Sequence, residues 1–383
     1  MKKILAMLLA LVMVLGLAAC GAPAAEAPAA SEAAYKVAMV TDYGDITDQS
    51  FNQTTYEACK AYAEANNVAF TYYKPAGDSD AERVAMIEKA VDEGYNVIVL
   101  PGFAFAAAIA TAAPQYPDVK FIALDVSEFD LTSAGLTAET MTNVYSAVYQ
   151  EELSGYMAGY AAVKLGYTKL GFLGGMAVPA VQKFGYGFVQ GADAAAKELN
   201  ITVDMNYIYG GLFYGTADIT AVMDTWYQGG TEVVFSCGGG IYTSAVDAAK
   251  KVEGTKVIGV DVDQAGVIAN YAGMSDKSLT VTSAMKGLYP TTVDTLTDVI
   301  NNGNWAKYAG KVATLGLVSG DDPTANYVQI PMESTQWSDS FTQDDYKAMV
   351  KAMFDGTIVV SGDVSAEPAV TNVNVDYQGQ IVG

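Results

Sequence analysis

Along the chain, short apolar runs alternate with longer stretches whose apolar positions recur every three or four residues. Residues 36–40, 70–74, 96–101 and 120–125 form one group of runs, and 169–174, 201–209, 232–236 and 256–261 form another. They are rich in Val, Ile and Leu, and apolar at successive positions, as parallel strands buried on both faces require. Between them, residues 182–199 set Phe184, Phe188, Ala195 and Leu199 on one helical face, and 84–92 and 243–251 repeat that pattern in shorter form. Corresponding runs lie at a nearly constant separation: 36 to 169 is 133 residues, while 96 to 232 and 120 to 256 are both 136. That offset predicts two copies of one βαβα design rather than one continuous sheet.

Beyond Asp261 the rhythm changes. Residues 278–286, SLTVTSAMK, read as a strand entering a helix over 288–301, and 312–318 as a further strand. A chain that builds one lobe, then a second, then returns would cross between them more than once, and several crossings make a hinge. The expected division is a first lobe over 35–143, a second over 144–281, a return to the first over 282–320, and a segment over 321–383 that crosses or covers the lobes. In that last segment a helix over 343–354 stands out, and the alternating stretches after it carry no lobe assignment. The fold class is α/β, with two doubly wound parallel sheets.

Charge narrows the function. The chain has 21 basic and 43 acidic residues, a formal net charge of −22, and shows no basic stripe of the kind that binds a phosphate backbone, which argues against nucleic acid. Anionic ligands are repelled at long range, so a neutral or cationic small molecule fits better. Most of these charges serve solubility in any case.

The first residues are a targeting segment. Lys2 and Lys3 precede an apolar stretch over 4–17, short for a membrane span, and Leu17-Ala18-Ala19-Cys20 follows. Cysteine after two alanines at the cleavage point is similar to a bacterial lipobox. Residues 1–19 are therefore expected to be removed, and Cys20 to become the acylated first residue of a flexible tether over 20–34 rich in Ala, Pro and Glu. A plain cleaved signal with an incidental cysteine is the alternative. Either way the folded part is expected outside the cytoplasmic membrane, on the lipid anchor if Cys20 is acylated. Export would permit a disulfide between Cys59 and Cys237, although buried free thiols are the more ordinary state.

Histidine is absent, which excludes Ser-His-Asp and Cys-His hydrolases, His-based zinc motifs and any histidine base. Gly238-Gly239-Gly240 follows a strand, but no Gly-Lys-Ser/Thr comes after it, and Thr243 occupies the sixth position of a would-be Gly-x-Gly-x-x-Gly. These glycines either let a ligand approach the backbone or make a tight turn.

The stretch 36–53, KVAMVTDYGDITDQSFNQ, reads as strand, polar loop and helix start, the arrangement in which open α/β sheets bind ligands. Asp42, Asp125 and Asp261 each close a predicted strand, where the crevice of such sheets lies. A carboxylate there can hold vicinal hydroxyls, or merely cap a helix. Phe51 opens the helix, and Phe213 sits in the glycine-bracketed loop Gly210-Gly211-Leu212-Phe213-Tyr214-Gly215. Either ring could stack on a planar base or belong to a core, and Tyr214 could replace Phe213. Lys286, at the end of its strand, is a candidate donor.

Together, Asp48-Gln49-Ser50-Phe51-Asn52-Gln53, Gly171-Phe172-Leu173-Gly174-Gly175 with Phe184 and Gly187-Phe188, Gly259-Val260-Asp261-Val262-Asp263-Gln264, and Thr282-Ser283-Ala284-Met285-Lys286 resemble the basic membrane protein family. These are lipoproteins similar to the purine nucleoside receptor, the substrate-binding component of nucleoside ABC importers. The resemblance spans about 36 to 301. It implies a type I periplasmic-binding fold whose two lobes close on one nucleoside, with no cofactor, no metal and no catalysis, and with an ABC permease and its ATPase subunits as partners. Carried over, Phe51 and Phe213 stack on the base, Asn52 and Asp125 hydrogen-bond the ligand, Asp261, Lys286 and the Gly239 backbone hold ribose hydroxyls, and Asp42 lines the cleft. Where the family usually follows its second aromatic with Asp-Pro, this chain has Tyr214-Gly215-Thr216. The alternatives are a sugar receptor of the same fold, an exported nucleoside hydrolase built on clustered aspartates and Ca²⁺, and a sensor or adhesin lipoprotein without transport.

Overall fold

The computed structural model describes residues 35–137 and 139–382. The expected signal segment, Cys20 and the tether lie outside the described residues. The chain first lays down β1 (Lys36–Val40), β2 (Ala69–Tyr73), β3 (Val97–Pro101), β4 (Lys120–Leu124) and β5 (Val144–Tyr149). It then lays down β6 (Lys169–Gly174), β7 (Val203–Tyr209), β8 (Val233–Cys237), β9 (Lys256–Asp261) and β10 (Thr280–Lys286). In space the first five run in the order β2-β1-β3-β4-β5 and the next five in the order β7-β6-β8-β9-β10, all parallel. The two lobes thus share one doubly wound design. Their central strands are buried throughout: Val37, Ala38, Met39, Val40 and Val97–Leu100 have no exposed surface. Each of the larger side chains among them, Val, Leu, Ile and Met, stabilises the fold by roughly 1.5–3 kcal/mol relative to exposure.

Two boundaries differ from the sequence expectation. The strand ending at Lys286 pairs with β9 in the second sheet, so the return to the first lobe begins after Lys286 and not at 282. Residues 144–149 form the fifth strand of the first sheet, so the second lobe does not start at 144. One cause explains both: β5 and β10 also start 136 residues apart, at 144 and 280, and each completes its own five-stranded set. The chain then crosses back, and helix Leu288–Leu296 packs on helix Phe51–Asn66 of the first lobe. β11 (Lys311–Leu315) extends the first sheet beside β5, β12 (Val328–Gln329) pairs antiparallel with β10, and β13 (Val373–Gln380) extends the second sheet parallel to β7.

Three crossings lie side by side. Gln150 N–H donates to Leu315 O at 2.9 Å, Tyr327 N–H to Gly316 O at 3.0 Å and Gly287 N–H to Tyr327 O at 2.7 Å. This short hydrogen-bonded ribbon is the geometry of a hinge, because few dihedral angles need to change for the sheets to move as bodies.

Helices Glu151–Lys164 and Pro179–Leu199 pack backbone to backbone through Gly155 and Gly159 on one and Gly187 and Gly191 on the other. A Cβ on Gly187 would collide with the carbonyl oxygen of Glu152. Such contact brings both helix starts, with Glu151 and Phe184, to the floor between the lobes. Gly187→Ala is expected to destabilise the protein by about 1–3 kcal/mol through overpacking, even though alanine is the better helix former; urea unfolding measures it.

Candidate functional site

The carboxyl ends of both sheets converge on one cavity of about 920 Å³, at the strand ends where open α/β sheets take ligands. Asp42, Phe51, Asn52, Asp125, Phe213, Gly239, Asp261 and Lys286 all line it. Another cavity, of about 510 Å³, is lined by different residues, among them Tyr145, Asp294 and Tyr308.

The loop after β1 is shaped by its aspartates. Asp48 accepts from the backbone N–H of Ser50, Asn52 and Gln53 at 2.9, 2.9 and 3.0 Å, and so caps helix Phe51–Asn66. Ser50, the formal N-cap, makes no side-chain cap bond. Its hydroxyl instead donates at 2.5 Å to Asp261 Oδ2 in the other lobe. Asn52 Nδ2 leans on Asp48, and Asn52 Oδ1 is buried without a hydrogen-bond partner among the described residues. Asp42 receives the Gly44 N–H at 2.6 Å.

Asp125 and Asp261 sit just past β4 and at the end of β9, equivalent places in the two lobes. Both have left-handed backbones, with φ of 62° and 64°, a conformation that aspartate tolerates better than most residues. Lys286, at the end of β10, lies between them. Its ammonium is 2.5 Å from Asp125 Oδ2, 3.9 Å from Asp261 Oδ1 and 3.6 Å from Glu151 Oε1, and 4.7 Å from the centre of the Phe51 ring. Burial pulls the lysine towards neutrality, but Asp125, Asp261 and Glu151 outweigh it and hold its pKa above the ordinary lysine value. Asp125 Oδ1, like Asn52 Oδ1, is a buried acceptor with no partner among the described residues.

Aromatic faces come from both lobes. Phe213 packs against Gly175 and Gly238 and stacks with Tyr43, their ring centres 6.2 Å apart and the planes inclined by 22°. Tyr214 is 59% exposed, so Phe213 is the more sequestered ring of that loop. Cys59 and Cys237 are buried free thiols. Among the described residues, no group of three or more Asp, Glu or Cys side chains is arranged to hold a metal ion.

Glu151, Lys183, Tyr43 and Met176 are cavity residues that sequence reasoning did not single out. Glu151 looked like an ordinary acid in a first helical turn. The signal that could have found it is the 136-residue offset, which puts Gln150 opposite Lys286 and marks the residues after β5 as another strand end.

Burial raises the pKa of Asp42 to about 6, against the opposing Gly44 N–H. It raises Asp261 to about 6, against Lys286 and Ser50, and Glu151 to about 8, against Lys286. In the unfolded chain these groups ionise at their ordinary, lower values, so the folded chain binds more protons between about pH 4 and 8. Their stabilising contribution is complete below the unfolded values and is lost as pH rises through 6 and then 8. Without ligand, the melting temperature is expected to be higher at pH 6 than at pH 8.5, and Glu151→Gln to flatten that difference.

Fold and cavity define a two-lobed substrate-binding protein of the periplasmic-binding type. The chain belongs to the family described as ABC transporter substrate-binding protein, PnrA-like, which matches residues 35–356. It is 28% identical over 299 residues, 74% of this chain and 80% of the relative, to the ABC transporter nucleoside-binding protein BmpA of Lactococcus lactis. It is 26% identical over 333 residues, 82% of this chain and 77% of the relative, to a protein of Pyrococcus furiosus named an uncharacterized lipoprotein. Among solved structures, an ABC transporter solute-binding protein of Aeropyrum pernix superposes with a TM-score of 0.66 at 20% identity, covering 85% of this chain and 87% of that one. That likeness speaks for the fold alone. Proteins of this family bind substrates for ABC transporters and are not enzymes. No described helix is long and apolar enough to cross a membrane.

Proposed function

We propose that the protein binds a nucleoside in the interlobe cavity and delivers it to an ABC permease, while held at the outer face of the cytoplasmic membrane by a lipid on Cys20. The observation that carries this reading is that two buried acceptors, Asn52 Oδ1 and Asp125 Oδ1, have no hydrogen-bond partner among the described residues, in a cavity also lined by aromatic rings and by Lys286. Buried acceptors are ordinarily satisfied, and a nucleoside carries the N–H and O–H donors to satisfy them. Asp261 and Lys286 suit ribose hydroxyls as acceptor and donor, with the Gly239 backbone beside them, while Asp42 and Asn52 suit the base. Phe51 and Phe213, the latter stacked with Tyr43, offer faces for stacking, worth roughly 1–3 kcal/mol per ring.

Seven aspartates line the cavity, namely Asp42, Asp45, Asp48, Asp78, Asp125, Asp130 and Asp261, with Glu151 largely protonated at neutral pH, against Lys74, Lys183 and Lys286. The phosphate of a nucleotide would meet this surplus directly, so the uncharged nucleoside is the form bound. The relative named for nucleoside binding in Lactococcus lactis agrees with this reading. A thermal-shift screen against nucleosides, free bases and hexoses tests it, since a ligand bound by the folded state raises the melting temperature by mass action. Nucleosides are expected to raise it and hexoses not. Release of free base from inosine over hours with metal present would favour a hydrolase instead.

A further inference from the structure

We infer that the segment after residue 356, where the family match ends, is a strap that holds the Phe213 loop in place from outside the cavity. Residues 358–372 run along helix Pro179–Leu199. Ser361 exchanges two hydrogen bonds with the Gln190 side chain, at 2.9 and 3.0 Å, and Asp193 Oδ1 accepts from the N–H of Thr371 and Asn372 at 2.8 and 2.6 Å. Ile358, Val360, Val364 and Val370 pack on the main core. Strand β13 then follows β7 in parallel, with Tyr377 against Tyr207 at 5.0 Å and Gln378 Oε1 accepting from Trp226 Nε1 at 3.2 Å. Parallel pairing carries its end to the carboxyl edge of the sheet, and so to the cavity.

There the strap reaches the loop itself. Ile381 N–H donates to Tyr209 O at 2.9 Å and Val382 N–H to Gly210 O at 3.2 Å. Gln380 Nε2 donates to Val382 O at 2.6 Å and fixes that carbonyl. Gly211, with φ of +84°, lies so close beneath it that a Cβ there would collide with the Val382 oxygen. On its inner side the loop is held by Gly210 and Gly211 N–H, which donate to Gly174 and Gly175 O at 2.7 and 2.9 Å. Two residues later the chain presents Phe213. Further along, Phe213 O accepts from the Gly240 N–H at 2.8 Å, so residues 380–382 close the outer side of a loop whose inner side is already held, and they act on the ligand through Phe213 without touching it. A ring held in its binding position before the ligand arrives spares the cost of ordering it on binding.

The proposal rests on the nucleoside reading for its affinity readout and is independent of it for its dynamic readout. The test compares the full chain with a chain ending at Gln380, which keeps β13, and with Val382→Pro, which removes the amide donor to Gly210 and fixes φ at that residue. Circular dichroism checks that each is folded. Both variants are expected to bind inosine about tenfold more weakly, from lost preorganisation, and in a Phe213→Ala background the truncation is expected to add no further loss. Hydrogen exchange of amides 211–215 without ligand is expected to be faster in both variants. Wild-type affinity with unchanged exchange would overturn the strap, as would a loss that persists in the Phe213→Ala background. If the full chain binds no nucleoside, the functional reading falls, and the exchange rates alone decide the strap.

Discussion

Replacing Lys286 with Met is expected to cost about 3–5 kcal/mol of folding stability at pH 7.5, because removing one partner of a buried ionic cluster leaves the others uncompensated. Lys286 is 5% exposed, and its ammonium lies within 3.9 Å of carboxylate oxygens of Asp125, Glu151 and Asp261. A loss of that size is a large share of the 5–15 kcal/mol typical of a folded protein. The stranded carboxylates respond by taking up protons, so part of the loss should be recovered at pH 5.5. Urea titrations at the two pH values measure both effects. A variant as stable as the parent at pH 7.5 would show that the three carboxylates do not depend on this lysine.

Asp261→Asn should separate binding from stability. The carboxylate is desolvated, faces Asp125 and Asp48 as like charges, and has its pKa pushed up to about 6; neutralising it at pH 7.5 therefore removes repulsion. Asparagine also accepts the left-handed backbone at this position, with φ of 64°, so Asp261→Asn avoids the strain that Asp261→Ala would add. The melting temperature is expected to hold or rise. Nucleoside affinity, in contrast, should fall by about 1–2 kcal/mol or more, since a charge-assisted bond to a ribose hydroxyl becomes a neutral one. Calorimetry showing parental affinity would remove Asp261 from the ligand's contacts.

How much of this was readable beforehand depends on whether a feature is local. The strand cores were, because a strand buried on both faces is written as consecutive apolar residues: KVAMV and VIVLP lie within the expected runs and are wholly or almost wholly buried. The fifth strands were placed less well: 144–149 was not read as a strand and fell within the expected second lobe, and the strand ending at Lys286 was split between the second lobe and the return. VYSAVY carries Tyr and Ser among its buried positions and so lacks the aliphatic signature, and β10, read correctly as a strand, gives no sign of which sheet it joins. Asp42, Asp125 and Asp261 stood out because strand ends are the crevice of this architecture, and the cavity gathers them.

Glu151 and Tyr43 did not stand out, for the same physical reason. Their roles come from partners more than 100 residues away, Lys286 for one and Phe213 for the other, and nothing within either residue's own stretch encodes that meeting. Ser50 shows the converse. It occupies the N-cap place of a helix, yet Asp48 does the capping, and the freed hydroxyl reaches across to Asp261. The strap over 357–382 was legible only as alternation, since its parallel pairing with β7 rests on Tyr377 and Gln378 meeting Tyr207 and Trp226, partners about 150–170 residues away.

In the proposed function, two like sheets meeting at their carboxyl ends grip one flat uncharged nucleoside. Calorimetric titration of the protein with inosine and, separately, with its 5′-monophosphate tests this most directly. Saturable one-to-one binding of the nucleoside, with the monophosphate bound far more weakly or not at all, is the predicted result. Equal binding of the two, or no binding of any nucleoside by a protein that takes a hexose, would contradict it.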